Sequence, residues 1–413
     1  VLGLLGDRQF GSLFWGQLVA SIGVWMHSIV AATIVYRVTD STLAVSLVAL
    51  AQFGPALVLG PLSGRWADSG SPVRQMLVGR SLCCLGSGSA AVFLLVLRDG
   101  SEAALVAGML VGSLLGGIGF TIGSPAMQTI VPSIVRAAEL PRAMAVNTMP
   151  MTVSRIAGPG LGALLATHWT PSGTLALGAL THAVFVGLIV FGRFPSPVRS
   201  GRTDDRSVRF AWRFVRRNRA IVVLLMAVAV VGLGTDPSIT LAPATSVAVS
   251  GDTHLVGPLA VAFGVGALCG LLALLGLLRR WSHHGIGAGA VGVMAVGHLL
   301  SGVSMSSGPL VSLTGFAVAG VGFSMAMGCL GTAIQDRAPD LLRGRIMSMW
   351  MICFVGARPI GSPVLAAVVD RWSVQAAFGV LAALTALVAV LVAIVVRAPL
   401  GRAASGRAAT VHH

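Results

Sequence analysis

Apolar residues run in long blocks along the whole chain, and polar residues gather in short breaks between them. A bilayer's hydrocarbon core is about 30 Å thick, so roughly 20 apolar residues rising 1.5 Å each suffice to cross it as a helix. Twelve such spans are predicted, at about 10–38, 43–66, 73–97, 101–131, 140–168, 171–194, 219–248, 254–278, 284–305, 308–335, 344–369 and 373–397. The pattern lacks the alternating segments of roughly ten residues that build a membrane β-barrel. The expected fold class is an all-α membrane protein with twelve transmembrane helices. No cleavable leader is expected, because the first apolar block runs on into a full-length span.

Composition agrees. Of 413 residues, 55% are hydrophobic and 10% charged, and the mean hydropathy is +0.89. Soluble domains carry about 25% charged residues. The net charge of +15 and pI near 11.6 suggest nucleic acid at first sight. Charge placement argues against it. All 28 basic residues are Arg, and only Arg37, Arg98 and Arg371 fall on the side away from the termini. Arg155 and Arg358 fall within spans. The rest, including Arg8, Arg65, Arg74, Arg80 and a run from Arg193 to Arg219, fall on the side of the termini. Positive charge marks the cytoplasmic side, so both termini are expected in the cytoplasm. No nucleic-acid partner is expected, since no soluble domain fits between the spans.

A polar stretch at 195–218 separates six spans from six. Arg206, Arg209, Arg213 and Arg216 recur there at helical spacing with Phe210 and Phe214, as in a helix lying on the membrane surface. The expected organisation is a six-helix half at 1–194, this linker at 195–218, a second half at 219–398, and a tail at 399–413. The halves read as repeats. Arg142 and Arg155 are 13 residues apart, as are Arg345 and Arg358, and a shift of 203 relates the pairs. Weak internal symmetry of this kind is how transporter halves show themselves.

The loop after the second span reads Gly64-Arg-Trp-Ala-Asp68-Ser69-Gly70, with Arg74 close behind. It resembles the gating loop of the major facilitator superfamily, although the basic residue expected after Asp68 is missing. Span 5 carries Gly158-Pro159-Gly160-Leu161-Gly162, similar to the Gly-Pro motif of that superfamily's antiporters. Generic helix packing explains the same residues. Gln17 to Asp40 and Ala338 to Ser348 resemble the branch that includes the enterobactin exporter and macrolide efflux pumps. The resemblance implies two pseudo-symmetric six-helix bundles and proton-coupled efflux of amphipathic molecules across a bacterial inner membrane.

Ionisable residues within spans cost about 2.5–3.5 kcal/mol for Arg or Asp on insertion scales, so each is a functional candidate. Asp236 precedes Pro237, which should break span 7. His27 lies equally deep in span 1, the equivalent span of the other half. Together they are candidate proton-coupling groups; the alternatives are an ion pair or helix cap for Asp236 and a packing role for His27. Arg155 and Arg358 either bind an anionic substrate group or pin spans 5 and 11. Trp25, Met26, Met149 and Trp350 are candidates for an apolar substrate cavity or for ordinary packing. Gly64, Asp68, Arg74, Gly158, Pro159, Gly162 and Asp336 are candidate gating positions. His182 and His298 are weaker candidates.

No Walker A motif is present, so ATP is not the expected energy source, and no enzyme or metal constellation is found. Cys83, Cys84, Cys269, Cys329 and Cys353 all lie in apolar blocks and read as packing residues. The expectation is a monomeric secondary transporter that needs no cofactor beyond a proton gradient. Its partners are an amphipathic small molecule, protons and the bilayer. Two alternatives are a lipid-like substrate moved without proton coupling, and a membrane scaffold or receptor.

Overall fold

The computed structural model describes residues 2–69, 71–96, 100–195, 205–278, 280–339 and 342–397. The tail at 399–413 and the first part of the linker lie outside them, as do the side chains of Asp68, Arg206 and Arg209.

Every described span is helical. Span 1 is one helix, Arg8–Thr39, whose first turn is capped by Asp7 Oδ1 accepting from the Gln9 and Phe10 amides at 2.9 and 2.8 Å. Span 2 is split at Gly54 into Thr42–Phe53 and Pro55–Ser69. Spans 3, 4 and 6 are Pro72–Val96, Glu102–Thr129 and Pro171–Phe191. Span 7 begins as Arg219–Leu233, passes through the 3-10 turn Asp236–Ser238, and resumes as Ala242–Ser250. Pro237 has no amide to donate, which is the physical reason for the break. Spans 8 to 12 are Val256–Leu277, His283–Ser307, Pro309–Arg337, Arg343–Arg371 and Val374–Arg397. The linker carries a helix at Asp205–Arg217.

Among the described residues, eleven helices are long and apolar enough to cross a membrane. The span expected at 140–168 is the exception. It is broken into Leu140–Asn147 and Met149–His168, and Arg155, Pro159 and its glycines dilute its apolar character. It nevertheless packs against spans 1, 6 and 8.

In the first half, span 1 lies against spans 5 and 6, and span 3 against spans 4 and 6. In the second, span 9 lies against spans 10 and 12, span 7 against spans 11 and 12, and span 8 against span 10. Backbones touch where side chains are absent. A Cβ on Gly86 in span 3 would lie 2.5 Å from the Gly112 carbonyl oxygen of span 4. Small residues drive helix association in lipid because packing, rather than the hydrophobic effect, holds the helices. Large aliphatic residues such as Leu85, Val96, Leu272 and Ile394 point outward.

The halves meet along two seams, span 2 on span 11 and span 5 on span 8. They are tied at the distal end, the end remote from the termini. Arg37 Nε donates to Thr253 Oγ1 at 2.7 Å. Asp370, at the end of span 11, accepts from Ser41 Oγ at 2.7 Å and from the Thr42 and Leu43 amides at 2.9 and 3.0 Å. The carboxylate of one half thus caps the first turn of span 2 in the other.

One placement differs from the sequence reading. Arg80 is not a loop residue. Span 3 begins at Pro72, so Arg80 lies about 12 Å up the helix at 1.5 Å per residue. It is 1% exposed, with Nη2 at 3.2 Å from Met127 Sδ and its guanidinium 5.3 Å from the Phe185 ring. Among the described residues, three arginines therefore lie within spans rather than two: Arg80 and Arg358 are buried and Arg155 is partly exposed.

Candidate transport site

The buried charges between the halves converge at mid-span. Asp236 is fully buried at the break in span 7. Its Oδ1 accepts from Thr240 Oγ1 at 3.0 Å and lies 3.4 Å from Arg358 Nη2 of span 11. Its Oδ2 makes no hydrogen bond of good geometry, although the Ser362 hydroxyl of span 11 lies by the carboxylate, and Arg358 Nε has no partner. The Arg358 guanidinium also rests 4.5 Å from the ring centroid of Phe53, which ends the first helix of span 2. Asp236 and Arg358 are 122 residues apart, and pairing of the carboxylate with a buried Arg was one of the three readings open from sequence, beside proton coupling and a helix cap.

Arg155 lies in a different environment. Its guanidinium is 5.1 Å from the Trp25 ring of span 1, 5.4 Å from Phe323 of span 10 and 5.2 Å from Phe354 of span 11. Among the described residues, no carboxylate pairs with it. The two arginines thus reach across the midline in opposite directions. Arg155 of the first half meets rings of the second, and Arg358 of the second meets a ring of the first. Guanidinium groups over aromatic faces gain about 0.5–2 kcal/mol, more when desolvated.

The aromatic wall continues beyond these contacts. Phe323 stacks on Phe354 at 6.2 Å, Trp350 on Phe354 at 5.9 Å, and Phe263 lies 5.7 Å from Phe323. Trp25 approaches Phe53 at 6.2 Å. Phe53, Phe263, Phe323 and Phe354 were not singled out from sequence. The one available signal was the i, i+4 spacing of Phe354 and Arg358 on one helix face.

Other candidates are placed elsewhere. His27 does not face Asp236. It turns into the first half, with Nε2 at 3.0 Å from Ser113 Oγ and Nδ1 at 3.3 Å from Ser87 Oγ. Met26 is 2% exposed and packed against span 5, while Met149 is half exposed. Gly158 and Gly162 press span 5 onto span 1: a Cβ on Gly158 would lie 2.5 Å from Trp25 Cβ, and one on Gly162 2.8 Å from Met26 Cα. Gly160 points the other way, toward Val261 of span 8. The Gly-Pro segment with Pro159 therefore shapes both a seam within the first half and a seam between halves. Gly64 faces open space, and Arg74 is exposed at the start of span 3. Asp336 lies 2.8 Å from His283 Nε2, which belongs to its own half. His298 Nε2 is 3.0 Å from the Gly234 carbonyl, just before the break in span 7. His182 is buried, with Nδ1 unpartnered.

A separate groove of about 710 Å³ lies toward the distal end between spans 1, 5 and 8. Its walls include Ile29, Val30, Leu161, Leu164 and Val261, and Arg37 stands at its rim.

Two halves of membrane-spanning helices enclosing a charged and aromatic mid-span site are the layout of a membrane transporter of the major facilitator type. The family comparison bears this out. The model of the transmembrane secretion effector family matches residues 3–412, and the chain belongs to that family. It is 23% identical over 376 residues to macrolide efflux protein A of Streptococcus pyogenes, covering 89% of this chain and 91% of the relative. It is 23% identical over 315 residues to macrolide efflux protein A of Enterococcus faecalis, covering 75% and 96%. Among solved structures, a POT family transporter in complex with 5-aminolevulinic acid superposes with a TM-score of 0.77 at 9% identity, over 93% of this chain and 95% of the other. A D-xylose-proton symporter gives 0.72 at 13% identity, over 93% and 97%. These structures share the fold. The family's members are carriers, not enzymes.

Proposed function

We propose that this chain is a proton-coupled exporter of amphipathic small molecules that works by alternating access, a monomer in a bacterial plasma membrane with its termini and basic loops facing the cytoplasm. The observation that carries the proposal is Asp236. It is the one acidic residue in the interior of any span, it lies at a helix break, and one of its oxygens makes no hydrogen bond of good geometry while the other meets Arg358. In this reading Oδ2 takes a proton from the outer side. Neutralising the carboxylate releases Arg358, and that form turns inward. Loss of the proton to the cytoplasm remakes the pair and readies the site for the next substrate. The tied distal end is then one of the two access states, with the substrate path open from the cytoplasm. The export direction follows the efflux relatives.

The test uses purified protein in liposomes with an imposed pH gradient and a pH-sensitive dye inside. Addition of amphipathic antibiotics or siderophores should trigger proton flux in the wild type and none in Asp236→Asn. Gradient-driven transport that survives in Asp236→Asn removes Asp236 from the coupling role. The groove between spans 1, 5 and 8 favours one second reading, a lipid-like substrate moved without protons. Substrate movement with no proton flux in the wild type would select it.

A further inference from the structure

The site around Arg155 offers hydrogen-bond donors and a positive charge but no carboxylate to answer them. Arg155 stands among three rings, and no described carboxylate pairs with it. Trp25, on which it stacks, is 3% exposed, and its Nε1–H has no partner. Trp350, at the end of the same aromatic wall, also holds a buried Nε1–H without a partner. An indole N–H and a guanidinium can only donate. Among the described residues, the acidic group buried at mid-span is Asp236, and it already answers Arg358, the cation next to Arg155. The site therefore carries one positive charge in excess and an unmet demand for acceptors.

We propose that the substrate is an acidic amphiphile, an aromatic or flat apolar body bearing an oxyanion, which binds with its oxyanion at Arg155 and the Trp25 Nε1–H and its body along Phe323, Phe354 and Trp350. This rests on the exporter reading and narrows it. The planar guanidinium fork suits a carboxylate or sulfonate, and such bonds are the strong ones. The rings supply flat contact area at distances typical of aromatic pairs. A cationic amphiphile meets an uncompensated guanidinium instead and leaves both indole donors unsatisfied. The proposal also has an energetic consequence. Export of an anion in exchange for a proton moves positive charge inward on both legs, so a membrane potential that is negative inside drives the cycle along with the pH gradient.

The test is an equilibrium titration of the full-length protein in micelles with two dansyl probes on the same undecyl chain, one ending in a carboxylate and one in a trimethylammonium. Tryptophan-to-dansyl transfer reads binding after subtraction of protein-free micelles. The acid is expected to bind at least about tenfold tighter than the ammonium. Arg155→Gln should erase that preference, and Arg155→Lys should keep it. Trp25→Phe, which retains a ring but not the N–H, should weaken the acid probe while leaving the ammonium probe unchanged. Tighter binding of the ammonium, an acid preference that survives Arg155→Gln, or no binding of the acid probe would overturn the proposal. No gradient is present in this assay, so a failure of proton coupling in liposomes is read separately.

Discussion

The carboxylate of Asp370 ties the two halves together at one end, and under the alternating-access proposal removing it should shift the balance between access states. In the tied state it accepts from Ser41 Oγ, the Thr42 amide and the Leu43 amide, all in the other half. It acts on span 2 as an N-cap side chain acts on its own helix. Replacing a capping residue by Ala costs about 1 kcal/mol, with a range of about 0.5–2. A negative charge at an exposed helix N-terminus adds about 0.3–1 kcal/mol. Asp370 is exposed, so the lower part of each range applies, and the total is about 1–2 kcal/mol. These bonds exist only while the distal ends are together. The whole amount therefore weighs on the state equilibrium, a shift of about 5–30-fold toward the separated form. Spin labels on Gly100→Cys and Ser306→Cys, at the distal ends of spans 3 and 9, would report it as a longer distance population in Asp370→Ala. Asp370→Asn keeps an acceptor but loses the charge and should shift less. Glu102→Gln, at the same end of the molecule, should shift nothing. Identical distance distributions in wild type and Asp370→Ala would refute the reasoning.

Three further outcomes are expected from melting curves of purified protein. Gly162→Leu places a side chain where a Cβ alone would lie 2.8 Å from Met26 Cα, and should cost at least about 1–3 kcal/mol; Gly64→Ala, facing open space within a helix, should be neutral or slightly stabilising. Arg358→Met strands a fully buried Asp236 and should cost about 3–5 kcal/mol, with most of the loss recovered when Asp236→Leu is added. Arg80→Met removes a buried cation that has no carboxylate partner among the described residues and whose Nε and Nη1 are unanswered, so the variant should melt at the same temperature or higher; a fall of several degrees would mean that the Arg80 charge is compensated and stabilises the fold.

Spans were legible because a bilayer enforces one rule, an unbroken apolar run with internal hydrogen bonding, and eleven runs obey it. Span 5 reads weakly because its residues serve packing and charge at the seams rather than contact with lipid. Asp236 and Arg358 stood out as charges in apolar surroundings, and Pro237 announced the break in span 7. The direction each side chain faces was not legible. His27 and Asp236 read from sequence as equally deep in their spans, yet helical phase turns His27 toward Ser87 and Ser113. Arg80 was counted with the loop arginines although the span predicted at 73–97 already contained it; the boundary was legible to within a residue, and the burial of the side chain was not. The rings of Phe53, Phe323 and Phe354 carried no contrast, since a Phe in a transmembrane helix resembles every neighbour until its partner is seen.

The repeat of Arg155 and Arg358 at a displacement of 203 residues takes on physical meaning in the structure. Both guanidinium groups reach rings of the opposite half, but only one has a carboxylate. A ring holds an arginine through a weak and broad electrostatic attraction, whereas a carboxylate holds it through directed, charge-assisted bonds. The symmetric part of the design therefore keeps the midline closed without strong bonds that would oppose its opening. The asymmetric part, Asp236 on Arg358, places the titratable group in one half and leaves Arg155 available in the other. Adding a carboxylate next to Arg155 would satisfy its charge and remove this division. The Phe354 ring centroid lies 5.2 Å from the Arg155 guanidinium. Phe354→Glu should accordingly abolish binding of the acidic probe, and Phe354→Leu, which loses the ring without adding a charge, should weaken it less; acid binding at wild-type strength in Phe354→Glu would mean that Arg155 does not hold the oxyanion.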